Sequence, residues 1–172
     1  ADRKGALKRL GILFQNPDHQ ILFPTVEEEL AFGLRQQGLD QKAALQAARA
    51  ALQAAGRAHW AGAPISTLSG GQKHWLCLQA VLMMAPGTIL LDEPFAGLDL
   101  PTVARMTRQL AALPQRIITI SHDPAHLAGA DRLVWLEDGR VRADGTPEAV
   151  LPAFLAEMSR LGDVDADTDL AG

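Results

Sequence analysis

The sequence of 172 residues contains a single cysteine, Cys77, which excludes an internal disulfide and a metal site built from several cysteines. This low cysteine content is consistent with a reducing compartment. No stretch reaches the roughly 18 to 20 consecutive apolar residues that a membrane-spanning helix needs. The charged start, Ala1-Asp2-Arg3-Lys4, leads into no apolar segment, so we predict no signal peptide. Because the chain starts at alanine, we expect its natural N-terminus to lie elsewhere.

Basic residues are not in excess either. The net charge is −4, and lysine and arginine form no stripe along the sequence, so we predict no nucleic-acid partner. With 48% hydrophobic and 21% charged residues, the composition is typical of a globular protein. The length suits one domain with a sizeable core.

Apolar runs alternate with helical patterns, which predicts an α/β fold with a largely parallel sheet and a helical insert. The runs at 88–91 and 116–120 are predicted to be strands that are buried on both faces. Asp138-Gly139 is typical of a hairpin turn between two further strands. The predicted strands are 11–14, 88–91, 116–120, 132–136 and 140–143, and the predicted helices are 26–37, 41–55, 70–85, 102–113 and 147–161.

Two of these helices carry capping patterns at their starts. Thr25 with Glu28, and Ser69 with Gln72, have the three-residue spacing of a capping box. The end of the chain differs in composition. Residues 162–172 are acidic and small, so we predict a disordered tail there.

Asp92 and Glu93 end the strand predicted at 88–91, and open α/β sheets bind ligands at this edge. In phosphoryl-transfer sites a first carboxylate holds Mg²⁺ and a second orients or deprotonates the attacking water. Taken alone, the pair is equally well explained by an acidic turn.

The motif Leu68-Ser69-Gly70-Gly71-Gln72 is more specific. Its two glycines remove side chains, so that a phosphate could approach the amides at the positive end of the helix. The alternative is a simple capped helix start. The residues that follow, His74, Trp75 and Cys77, are interpreted as packing or surface residues.

Gln15 and His122 each follow a predicted strand. An imidazole in this position can bond a terminal phosphate and hold a water molecule, and an uncharged amide can contact Mg²⁺ or water. Each residue alone is more often structural.

The order and spacing of these motifs resemble those of ATP-binding-cassette (ABC) ATPases over nearly the whole chain. The resemblance implies a P-loop NTPase core that uses ATP and Mg²⁺. It also implies these roles: Gln15 in the Q-loop, Ser69, Gly70, Gly71 and Gln72 in the signature, Asp92 as Mg²⁺ ligand, Glu93 as catalytic base, Phe95 to Asp99 as D-loop, and His122 as switch histidine.

The stretch from Phe14 to Gly33 is similar to the energy-coupling-factor subgroup, whose members power uptake of vitamins and of cobalt or nickel ions. Residues 98–102 and 69–77 are most similar to biotin-transporter ATPases, with cobalt-transporter ATPases as near neighbours. The resemblance implies a second ATPase subunit, like or unlike, with the signature acting in trans. It further implies a membrane scaffold subunit contacted through residues 16–32, a substrate-capture subunit, and a location on the cytoplasmic face of the membrane.

One motif of the family does not occur. The sequence has no Gly-x-x-x-x-Gly-Lys-Ser/Thr, the loop whose amides and lysine hold the β- and γ-phosphates. In the family this loop precedes the Q-loop by some tens of residues, and the aromatic residue that stacks on adenine lies further upstream. We therefore expect residues 1–161 to form a partial ABC domain, with a helical subdomain at about 17–75 and core strands at about 86–145. We expect this chain alone to be nearly inactive.

Two other functions remain open. A soluble ABC ATPase of DNA repair or the ribosome usually carries long insertions, whereas the interval from Gln15 to Ser69 is compact. A cassette that binds ATP without hydrolysing it would not need Glu93 and His122.

Overall fold

The computed structural model describes residue 5 and residues 8–162. Apart from Gly162, the tail predicted at 162–172 lies outside the described residues. The chain forms two compact units, Ala1–Ile120 and Ser121–Gly172. The predicted division at about 17–75 and 86–145 stays a prediction.

The first unit holds a sheet and a group of helices. In its described part the elements are β1 (Leu10–Leu13), α1 (Val26–Gln37), α2 (Gln41–Ala54), α3 (Gly70–Met83), β2 (Thr88–Asp92), α4 (Leu100–Ala111) and β3 (Arg116–Ile120), with short 3₁₀ turns at Pro17–His19, Ala58–Trp60 and Ile65–Thr67.

The three strands form a parallel sheet in the order β1-β2-β3. In the register, Leu13 lies opposite Leu91, which in turn lies opposite Thr119. The carboxyl ends of all three strands therefore meet at one edge of the sheet. The predicted α/β class with a largely parallel sheet is confirmed.

The prediction that 88–91 and 116–120 are buried on both faces is wrong. In β2 only Ile89 and Leu91 are fully buried, and in β3 the side chains of Ile118 and Ile120 are 47% and 51% exposed. The reason is that α3 and α4 pack on one face of the sheet, while β3 is the last strand in the described sheet order.

Helix α3 belongs to two cores at once. Leu76 packs with α1 and α2 in a helical core, whereas Cys77, Leu78 and Val81 pack with the sheet. These four side chains are at most 2% exposed. The start of α3 is thereby fixed between the helices and the sheet.

The two predicted capping boxes have different outcomes. Ser69 and Gln72 form theirs, with the Gln72 amide 3.3 Å from the Ser69 Oγ and the Ser69 amide 2.7 Å from the Gln72 Oε1. Thr25 makes no side-chain cap, and its hydroxyl donates to the Glu28 carboxylate. The second predicted box is therefore wrong.

The second unit contains an antiparallel hairpin of β4 (Leu133–Glu137) and β5 (Arg140–Gly145), followed by α5 (Pro147–Gly162). Asp138 and Gly139 have φ angles of 47° and 71°. Two consecutive positive φ angles are what a type I′ hairpin turn requires. The predicted hairpin is confirmed.

Candidate functional site

The carboxyl edge of the sheet brings three of the predicted site residues to neighbouring strand ends. Gln15 follows β1 by two residues, Asp92 is the last residue of β2, and Glu93 comes next. Since β1 and β2 are paired in parallel, these residues lie at the same edge. Gln15 is exposed, and both carboxylates are half-buried.

The backbone of Glu93 is held in an unusual conformation. Its φ angle is 43°, in the left-handed region that residues other than glycine seldom adopt. Its N–H donates to the Ile120 carbonyl at 3.0 Å, and its carbonyl accepts from Ala96 at 3.1 Å. The strained backbone turns the chain away from the sheet directly after Asp92, and such strain is common at functional sites.

The loop after Glu93 leads into α4 through Gly97 and Asp99. Gly97 has a φ angle of 71°. The Asp99 carboxylate caps α4 by accepting the Thr102 N–H at 2.7 Å. Hydrogen bonds from the side chain and then the backbone of Thr102 lower the pKa of Asp99. Asp99 is thus ionised at neutral pH and fixed at the start of a helix.

The glycines of the motif at 68–72 differ in their surroundings. A Cβ at Gly70 would have no atom within 4 Å, whereas one at Gly71 would lie 3.3 Å from Thr102 Cγ2. The amides at the start of α3 are therefore open on the Gly70 side and close to α4 on the Gly71 side.

A cavity of about 420 Å³ lies where α3 and α4 begin. It brings together predicted site residues from two separate motifs, Ser69, Gly71 and Gln72 with Asp99. The cavity wall also contains residues to which the sequence analysis assigned no role in the site, among them Arg57, Trp60, Trp75, Thr102 and Arg105.

Arg57 packs against two tryptophans in this wall. Its guanidinium carbon is 4.1 Å from the ring centre of Trp75 and 5.1 Å from that of Trp60, and the two rings are edge to face at 5.5 Å. Burial, and then the charge of Arg105, lower the pKa of Arg57. Two cations and one carboxylate, Asp99, therefore line a cavity beside the positive end of a helix, and the net positive charge of the wall favours an anion.

His74 and Cys77, interpreted as packing residues, are both buried on α3. Burial is the main cause that raises the pKa of Cys77 to about 12, so the thiol is protonated and inert at neutral pH. The ring of His74 contacts the backbone of Gln15, a contact that no sequence pattern indicated.

His122 lies two residues after β3 along the chain and belongs to the second unit, where its side chain is exposed. Within the described residues, no three His, Cys, Asp or Glu side chains form a metal cluster, and no helix is long and apolar enough to span a membrane. The roles assigned to the site residues from the sequence stay predictions.

Comparison with known proteins identifies a sequence family and several relatives. Residues 1–96 match the sequence family described as ABC transporter. The chain is 53% identical over 161 residues to the biotin transport ATP-binding protein BioM of Rhodobacter capsulatus, an alignment that covers 94% of this chain and 69% of that protein. It is 37% identical over 150 residues to the energy-coupling factor transporter ATP-binding protein EcfA of Methanocaldococcus jannaschii, covering 83% and 53%.

Among solved structures, the fold is similar to that of cbiO1 from Clostridium perfringens, which is described as part of the ABC transporter complex cbiONQ. The TM-score is 0.69 at 29% identity, and the similarity covers 95% of this chain and 72% of that one.

Proposed function

The chain belongs to the ABC transporter family, as an ATPase of the energy-coupling-factor type, and we propose that it energises an importer of biotin. The observation that supports ATP hydrolysis is the meeting of Gln15 with Asp92 and Glu93 at one sheet edge. The observation that supports biotin is the 53% identity to a biotin transport ATP-binding protein.

Asp92 and Gln15 are the proposed magnesium ligands. Mg²⁺ prefers oxygen ligands and is usually bound by one or two protein groups together with phosphates and water. A carboxylate and an amide oxygen at neighbouring strand ends fit this preference. When bound, the ion would neutralise charge on the terminal phosphates of ATP.

Glu93 is the proposed catalytic base, since it directly follows the magnesium ligand and its backbone is fixed by hydrogen bonds on both sides. Its carboxylate would accept a proton from the water that attacks the terminal phosphate. His122 is the proposed switch residue, which would hold that phosphate and water by hydrogen bonds.

The start of α3 is proposed to act on the nucleotide of a second ATPase subunit. Ser69 and the exposed amide at Gly70 would contact its terminal phosphate, and the helix end would stabilise the negative charge. The cationic wall formed by Arg57 and Arg105 would add to this attraction. Asp99 and the loop before it would lie at the same subunit boundary.

The proposed contact with a membrane scaffold subunit involves the segment at 16–32. The structure distinguishes among its three consecutive acids. Glu27 is paired with Arg49 at 2.6 Å, Glu29 is buried, and Glu28 alone is exposed. Leu22 is 66% exposed and Phe14, just before the segment, is 46% exposed, so these apolar side chains are the better candidates for the contact.

This contact is tested by co-purifying the scaffold subunit with Leu22→Asp. We expect the yield of complex to fall, because a charge would replace apolar surface. Leu39→Asp is the matched control, since Leu39 is 40% exposed in the same helical region but outside the segment. Equal recovery of the scaffold with both variants would contradict the assignment.

The solute is tested by uptake. Cells that carry the complete transporter should take up labelled biotin in a manner that requires Glu93, and should not concentrate labelled cobalt. The alternative is a metal-ion importer, which the resemblance of the sequence to cobalt-transporter ATPases implies. Cobalt uptake without biotin uptake would replace biotin with a metal ion and leave the ATPase assignment unchanged.

We further propose that the chain is a peripheral subunit on the cytoplasmic face of the membrane. A soluble ABC ATPase of repair or translation would instead co-purify with nucleic acid or ribosomes. Fractionation of cells that express the complete transporter separates these two alternatives.

A further inference from the structure

The ring of His74 bridges two backbone segments that carry different parts of the site. Its Nε2 lies 3.1 Å from the carbonyl oxygen of Gln15, and its Nδ1 lies 3.2 Å from the carbonyl oxygen of Gly70. The residue is only 5% exposed. A neutral imidazole carries a single N–H, so only one of these two carbonyl oxygens can accept from the ring.

The two carbonyls are not equivalent. Gly70 is four residues before His74 in α3, so its carbonyl is the one that helix geometry pairs with the His74 amide. The Gln15 carbonyl lies beyond the end of β1, and the ring of His74 supplies it with a donor. A carbonyl accepts only, so the bond to Gln15 requires the ring N–H at Nε2.

Two neighbouring contacts join the same pair of segments. Lys73 Nζ lies 2.7 Å from Asp18 Oδ1, and the Cys77 thiol donates to the Pro17 carbonyl at 3.9 Å. Residues 73, 74 and 77 lie on one face of α3, because helical neighbours are three and four residues apart. The turn at 15–19, here called the Q-loop turn, is therefore attached to α3 at three successive points.

We propose that His74 is a positioning residue that ties the Q-loop turn to the start of α3, so that the two shift as one body. The proposal rests on the proposed function. There, Gln15 senses the nucleotide of its own subunit, whereas Ser69 and Gly70 act on the nucleotide of the other. A displacement of Gln15 then passes through the hydrogen bond between its carbonyl and the His74 ring. Because His74 and the signature residues lie at the start of the same helix, the displacement reaches them directly.

The first test measures hydrogen–deuterium exchange in the full chain. The amides of Asp18, His19 and Gln20 are bonded within the Q-loop turn and report on its order. In His74→Leu, which keeps the bulk and loses the donor, we expect their exchange to rise about fivefold to tenfold, the factor expected for one ordinary hydrogen bond. In His74→Gln, whose amide N–H can still reach Gln15, we expect exchange close to that of the wild type.

The control is Leu76→Val. Leu76 is fully buried two residues further along α3, but it faces the helical core. It should lower stability without changing exchange in the Q-loop turn. The proposal is overturned if His74→Leu leaves exchange unchanged, if His74→Gln behaves like His74→Leu, or if Leu76→Val raises exchange equally.

The second test measures ATP turnover by the chain expressed from its gene, with any coding sequence upstream of Ala1 included, in the complete transporter. His74→Leu should lower kcat by about fivefold to tenfold while KM changes less than about twofold. The reason is that the lost bond affects the alignment of the Q-loop turn with the signature residues and not the affinity for ATP. His74→Gln should restore kcat. A wild-type complex without ATP turnover would refute the proposed function, while the exchange data would still decide the role of His74.

Discussion

At the scale of single residues, one carboxylate shows how far a side chain's role depends on the fold. The Glu29 Oε2 accepts the N–H groups of Leu22 and Phe23 at 2.8 and 2.9 Å, and the side chain is buried. These two bonds fix the loop that presents Leu22 to solvent. Glu29 therefore shapes the proposed contact surface without being part of it.

Replacing Glu29 with glutamine should destabilise the protein by about 1–3 kcal/mol, because the two bonds from the backbone N–H groups lose the carboxylate charge that strengthens them. Glu28→Gln is the control, since Glu28 is exposed. It should stay within about 0.5 kcal/mol of the wild type in urea unfolding. Similar losses for the two variants would show that the buried bonds contribute little.

How far the sequence predicted these roles depends on the distance between partners along the chain. The Ser69 and Gln72 capping box is local, and its three-residue spacing was enough to predict it. The bond between His74 and Gln15 joins residues 59 positions apart, and no spacing rule reveals such a pair. Thr25 shows the limit of local rules, because its hydroxyl bonds Glu28 instead of capping the helix.

At the scale of elements, the close approach of β1 to α3 depends on a glycine. A Cβ at Gly11 would lie 2.4 Å from Val81 Cγ1 and 3.0 Å from Pro86 Cγ. Val81 and Pro86 are both buried, so neither can move freely. The strand that ends near Gln15 is therefore held against the helix that begins at Gly70.

Gly11→Ala should destabilise the protein by about 1–3 kcal/mol, the usual cost of overpacking a core. Gly62→Ala serves as the control, because a Cβ there would have no atom within 4 Å. Thermal or urea unfolding of both variants gives the comparison. If Gly11→Ala is as stable as Gly62→Ala, strand and helix are less tightly packed than the structure indicates.

The existence and order of the elements were well predicted from the sequence, but their burial was not. Periodic apolar residues indicated β2 and β3 as strands, and both form. Whether a strand is covered on both faces depends on what packs against it, and an apolar run does not reveal this. Ile118 and Ile120 are therefore exposed despite an apolar pattern typical of a buried strand.

At the scale of the whole molecule, the proposed ATPase site needs more than the described residues provide. The 172 residues hold the predicted Q-loop, signature, magnesium ligand and base, but no phosphate-loop motif. Backbone amides and a lysine of such a loop supply most contacts to the β- and γ-phosphates in P-loop enzymes. The sequence alone was enough to predict which motifs of the site these residues contain, because a motif can be recognised without knowing how the chain packs.

Two subunits must also meet for turnover, since the start of α3 is proposed to act on the partner's nucleotide. The cavity that joins Ser69, Gly71 and Asp99 lies within one subunit. The surface around it is the one that we propose faces the other subunit. A variant that binds ATP but cannot hydrolyse it should therefore accumulate as a closed dimer.

Glu93→Gln provides the most direct test of this account, in the chain expressed from its gene with any coding sequence upstream of Ala1. With ATP and Mg²⁺, we expect nucleotide binding to be retained, turnover to fall by about a hundredfold or more through loss of the base, and light scattering to show a stable dimer. Glu28→Gln should hydrolyse ATP normally and dimerise only transiently. Hydrolysis by Glu93→Gln at the wild-type rate would contradict the assignment of Glu93 as the base and, with it, the proposed site.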